Sequence, residues 1–129
     1  MRPTTPPSLE DIQEMAEDAL AAIPAELRAM VRGTAIIVEE VAEDEVIEAM
    51  GLDSPWELTG LYQGVPLTQK GVADVAAGPD TILLFREPIL LEWIETGVDL
   101  FALVRNVLIH EIGHHFGLSD EDIARLESE

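Results

Sequence analysis

The sequence predicts an α+β domain in which helices pack on a small mixed sheet, and three features predict it. Two short runs rich in branched apolar residues, Thr34–Val41 and Thr81–Arg86, have the length and composition of strands. The segments around them carry apolar residues at helical spacing, and no internal repeat or low-complexity tract points to an array. At 129 residues with 47% hydrophobic side chains, the chain is one domain, 1–129, with enough apolar material for a core. Residues 1–7, polar and rich in proline, are expected to be flexible.

Each element has a local cause. Ser8-Leu9-Glu10-Asp11 reads as a helix cap followed by an acidic first turn, and Leu9, Ile12, Ala16, Ala19, Leu20 and Ile23 then recur on one face up to Pro24. Pro24 can take the first position of a second, short helix through Leu27, Met30 and Val31, with Gly33 as its stop. After the first strand, Asp44–Met50 before Gly51 has room for one or two helical turns. Residues 51–80, punctuated by Pro55, Gly60, Gly64, Pro66, Gly71, Gly78 and Pro79, predict loops and one short strand near Leu58–Tyr62. After the second strand, Pro88 is expected to start a helix running to about Glu95 and ended by Gly97. Asp99 should cap a helix from Leu100 to about Phe116 whose apolar side chains point nearly all round, as in a helix buried on most sides.

Charge and cysteine content narrow the functions. Seven basic against 26 acidic residues leave a net charge of −19, which repels phosphate backbones and anionic lipid, so neither nucleic acid nor membrane is expected as a partner. Eight carboxylates and no base lie between Glu39 and Glu57, a solvated face or a field that draws basic peptides. Without cysteine there is no disulfide framework and no thiolate ligand, so a metal would need nitrogen and oxygen donors. No run approaches the roughly 20 apolar residues of a membrane span and no apolar signal segment follows Met1, so the expected location is cytoplasmic.

His110-Glu111-Ile112-Gly113-His114 carries the chemistry. On a helix, positions i and i+4 stand about 40° apart, so both imidazoles can turn to one ion, with Glu111 at the edge of that face as general base toward a water. Buried in such a helix, these polar groups would need partners, and an ion supplies them. Gly117 can turn the chain sharply, Ser119 can cap a final helix to about Glu127, and Asp120 would stand on its first turn within reach of the same ion. Two histidines and a carboxylate leave a tetrahedral zinc one open position, the mark of a catalytic rather than structural site, and the reaction class would be metal-assisted amide hydrolysis. For an oxyanion donor, Tyr62, His115 and Arg86 are candidates, although His115 lies about 100° from His114 on the helix and is more readily packed.

HEIGHHFGLSD, His110 to Asp120, resembles the HExxHxxGxxD pattern of zincin-like metallopeptidases with an aspartate third ligand. GLYQGVPLTQKG (Gly60–Gly71) and LLFREPIL (Leu83–Leu90) are similar to the small, mostly bacterial, minimal members of that family. The resemblance implies a compact zincin-like domain with His110, His114 and Asp120 as ligands of one zinc ion, Glu111 as catalytic base, and a peptide or protein substrate lying as an added strand along Gly60–Val65 or Thr81–Arg86. The sequence departs from larger relatives in having no methionine after the motif: Met1, Met15, Met30 and Met50 all precede it. Three functions therefore compete: a zinc-dependent peptidase, a catalytically inactive metal-binding module whose acidic surface docks a basic protein, and a purely structural acidic adaptor that never binds zinc.

Overall fold

A computed structural model describes residues 5–64 and 80–128. Helix α1, Leu9–Ala22, opens on a reciprocal cap: Ser8 Oγ accepts from the Asp11 amide at 3.1 Å and Asp11 Oδ2 accepts from the Ser8 amide at 2.9 Å. It buries Ile12, Ala16 and Ala19, the expected stripe. Pro24 is the cap rather than the first residue of α2, Ala25–Met30. Strand β1, Ala35–Glu39, precedes α3, Asp44–Ala49. A single 3₁₀ turn, Pro55–Glu57, leads into β2, Gly60–Gln63. The loops expected over 65–79, and the part of the resemblance carried by 65–71, lie outside the described residues.

Strand β3, Thr81–Phe85, runs directly into α4, Arg86–Thr96. The helix thus begins two residues before Pro88. Amides of the first helical turn have no partner within the helix, so a proline in its third position costs no hydrogen bond and does not mark the start. Helices α5, Leu100–His115, and α6, Asp120–Glu127, complete the described elements.

The sheet has the order β1-β3-β2, with β1 parallel and β2 antiparallel to β3. This is the expected α+β architecture, six described helices on a three-stranded mixed sheet. Because β3 is the central strand, Thr81–Arg86 cannot offer the edge proposed for it, and Gly60–Gln63 can. Side chains of β3 alternate between two cores, Ile82 and Leu84 joining α1 and α5 on one face, Leu83 and Phe85 joining Ala42, Ile47 and Leu58 on the other. No described helix is long and apolar enough to cross a membrane.

One expectation changes at α5. Its buried residues are Leu100, Leu103, Val104, Val107, Leu108, Ile109, Ile112 and Gly113, but His110 and His114 are exposed and Glu111 is half-buried. A helical wheel gives the direction of each side chain and not what stands over it, and here the histidine face is left open. The requirement for a partner imposed by burial therefore applies to Glu111 alone.

Candidate metal and catalytic site

The site is made where α5 ends and α6 begins. Asp99 caps α5, its Oδ2 accepting from the Ala102 amide at 3.0 Å. The helix closes with the Leu118 amide donating to the Gly113 carbonyl at 2.9 Å and the Gly117 amide to that of His114 at 3.1 Å, while Gly117 holds a φ of +77°. That left-handed closure reverses the chain as the sequence predicts. Ser119 Oγ then accepts from the Asp122 amide at 3.1 Å and starts α6 with Asp120 in its first position.

Gly113, inside the HExxH segment, has a second role that the motif does not announce. A Cβ there would stand 2.6 Å from Ile123 Cγ1, so only glycine lets α6 lie this close to α5. The result is a contact between the two helices at the site: His114 Nε2 and Asp120 Oδ1 are 3.3 Å apart. The His110 and His114 rings are 4.1 Å apart between centroids. The three side chains thus meet in pairs, and among the described residues no three His, Asp or Glu side chains close on one point as they stand. In kind the donors suit zinc: two imidazoles and a carboxylate, on solvent-facing side chains of which His114 is 48% and Asp120 95% exposed, free to turn toward an ion.

Glu111 lies on the inner side of this face, against β2. A Cβ on Gly60 would stand 2.8 Å from Val107 Cγ1 and 3.1 Å from Glu111 Cγ, so glycine is what brings the strand down onto α5. The Tyr62 amide donates to the Glu111 carboxylate. Burial pushes the Glu111 carboxyl up to about 7, opposed in part by the charge of His114 and by that amide.

The direction of the Tyr62 amide follows from register. Phe85 N donates to Thr59 O at 2.9 Å, and Leu61 and Gln63 sit opposite Leu83 and Thr81. Hydrogen-bonded and non-bonded pairs alternate along an antiparallel ladder, so Thr59, Leu61 and Gln63 turn their backbone groups to β3, and Gly60 and Tyr62 turn theirs outward. Glu111 therefore sits on the outer edge of the sheet.

The three oxyanion candidates are otherwise engaged. Tyr62 Oη donates to Asp80 Oδ2 at 3.1 Å and lies 3.5 Å from Thr34 Oγ1; burial first, then Asp80, raises its pKa above 10.0, with Thr34 opposing. His115 stacks on the Tyr62 ring, centroids 3.8 Å apart and planes 15° from parallel, while the residue stays exposed. Arg86 belongs elsewhere: its Nε donates to the Pro7 carbonyl at 2.6 Å and Nη1 pairs with Glu40 at 2.9 Å. Sequence reading missed Gly60, Gly113 and the Tyr62 amide; a glycine inside a strand pattern was the one available sign of a close backbone approach.

A compact α+β domain whose last two helices bring an HExxH segment to a following aspartate defines a class, the zincin-like proteins. The chain matches the zincin-like metallopeptidase family over residues 31–129 and belongs to it. Among solved structures it is similar to a conserved hypothetical protein from Thermus thermophilus, 25% identical, with a TM-score of 0.54 over 92% of this chain and 98% of that one. No curated protein matches it.

Proposed function

We propose that this protein is a zinc-dependent peptidase of the cytoplasm, with His110, His114 and Asp120 as ligands of one ion and Glu111 as the general base. The observation that carries the reading is the placement of Glu111, a half-buried carboxyl beside the two histidines and held by the Tyr62 amide. A carboxylate held at the edge of the ligand pair is placed to accept and return a proton. Zinc, when bound, supplies Lewis acidity toward a water and a peptide carbonyl. Glu111 Oε takes the proton from the attacking water and delivers it to the departing amine nitrogen. Asp120 Oδ1 lies 3.3 Å from His114 Nε2, a separation that suits two ligands of one tetrahedral ion. The outward backbone groups of Gly60 and the Tyr62 carbonyl give an extended substrate a strand to pair with.

Elemental analysis of the purified protein tests ligation: one zinc per chain is expected in the wild type, with loss in His110→Ala and Asp120→Ala. Digestion of a mixed peptide library, with Glu111→Gln as control, tests the reaction. Stoichiometric zinc with no cleavage beyond that of the Glu111→Gln protein would overturn the peptidase reading in favour of a metal-binding module that docks a basic partner.

A further inference from the structure

Next to the histidine face lies a cavity of about 260 Å³ to which three helices contribute: Glu92 from α4, Leu103, Asn106 and Val107 from α5 alongside His110 and Glu111, and Glu127 from the end of α6. Its chemistry is one-sided. Leu103 and Val107 form a buried apolar wall. The hydroxyl of Thr59, the amide of Asn106 and the carboxylates of Glu92 and Glu127 are its polar groups beyond the motif, and no lysine or arginine lines it among the described residues. Arg105 fastens the end of α6, its Nη1 donating to the Glu127 carbonyl at 3.1 Å, which fixes Glu127 at the rim.

We infer that this cavity is a subsite for a lysine or arginine side chain of the substrate, with Glu92 and Glu127 setting the preference. A long cationic side chain lays its methylenes along apolar surface and keeps its head among acceptors, which is the distribution of groups here. Adjacency to His110 and Glu111 places such a side chain next to the bond to be cut, so its part in cleavage rests on the peptidase reading. The net charge of −19 attracts any basic peptide at long range. A subsite differs from that field in acting at one position of the peptide only.

Alanine pentapeptides carrying one lysine, arginine, norleucine or glutamate at each position in turn separate the two. Binding is read by calorimetry on the zinc-loaded Glu111→Gln protein, which holds peptides without turnover. Lysine and arginine are expected to bind about fivefold more tightly than norleucine at one position. The Glu92→Gln/Glu127→Gln variant should abolish that difference without weakening the norleucine peptide. It removes two of 26 acidic side chains, leaving the long-range field nearly intact. Glu92→Asp/Glu127→Asp should restore the preference, and Glu92→Lys should transfer it to the glutamate peptide. A preference missing at every position, or equal at all of them, or unchanged in the Gln variant, overturns the inference. Wild-type cleavage of the same peptides is scored separately. Cleavage without a basic preference removes the subsite and leaves the peptidase, whereas a basic preference in binding without any cleavage leaves the subsite and removes the peptidase.

Discussion

The two outer edges of the sheet are finished in opposite ways. At β1, Gln13 of α1 behaves as a substitute strand: its Nε2 donates to the Ile36 carbonyl at 2.9 Å and its Oε1 accepts from the Val38 amide at 3.2 Å. One side chain there satisfies two backbone groups that would otherwise invite a further strand. At β2 the corresponding outward amide, that of Tyr62, is taken by the carboxylate of Glu111, and no described strand pairs beyond it. A neutral amide closes one edge, and an ionisable group from the HExxH segment occupies the other. The first arrangement is good only for stability. The second places a proton acceptor where an extended peptide would lie, and raising its pKa lowers the stability of the folded state at neutral pH.

Substituting at the β2 edge should therefore produce the largest effects. Glu111→Gln preserves shape and the Tyr62 contact but removes the base, and peptide cleavage by the zinc-loaded protein should fall on the order of 1000-fold, measured with a fluorogenic library, at unchanged zinc content. Gly60→Ala comes next. The added Cβ, 2.8 Å from Val107 Cγ1 and 3.1 Å from Glu111 Cγ, forces β2 away from α5. Chemical denaturation should show a loss of about 2 kcal/mol, with cleavage reduced because the Tyr62 amide no longer reaches the carboxylate. Full stability in this variant would mean that the strand is not held where the register places it.

Features determined within a few residues were legible in the sequence. Ser8, Asp99 and Ser119 cap helices as their spacing predicts, and Gly97 and Gly117 end them with φ of +70° and +77°. The HExxH segment and Asp120 were legible for the same reason, since one helix and one turn set their spacing. Features determined between distant segments were not. Nothing local in TILLF says that it is central rather than an edge, and nothing in GLYQ says that a missing Cβ admits α5. Glu92 and Glu127 are 35 positions apart and share a cavity only because α4, α5 and α6 meet there. Arg86 looked available because the sequence could not show Glu40 and Pro7 beside it.

The stability cost of the β2 arrangement has a pH signature. In the metal-free protein Glu111 titrates at about 7 folded, against an ordinary value of 4.5. Between these values the folded state holds a proton that the unfolded chain has released. Stability contributed by the neutral form is complete below pH 4.5, declines as pH rises toward 7, and is lost above it. Glu111→Gln lacks this slope. In the presence of chelator it should match the wild type near pH 4.5 and exceed it by about 2 kcal/mol at about pH 8, once solvent screening of a partly exposed group is allowed for. Parallel urea curves at both pH values measure it, and equal stability at the higher pH would show that Glu111 is not strained by its place on the edge.

The smallest effect belongs to the closed edge and tests the other half of the contrast. Gln13→Ala removes both hydrogen bonds to β1, but water can reach a half-buried site, so the thermodynamic loss should be only about 1 kcal/mol. The informative readout is association. With Ile36 O and Val38 N uncovered, and Ile37 already 45% exposed on the same strand, β1 becomes a strand template. Sedimentation at rising concentration should show self-association in Gln13→Ala that is absent from the wild type. It should weaken in the presence of Ile37→Lys, which puts charge on that strand without touching the hydrogen bonds. Monomeric behaviour of Gln13→Ala at all concentrations would mean that the repulsion of 26 acidic side chains, rather than one glutamine, keeps β1 unpaired. The two edges would then differ in chemistry but not in how each is guarded.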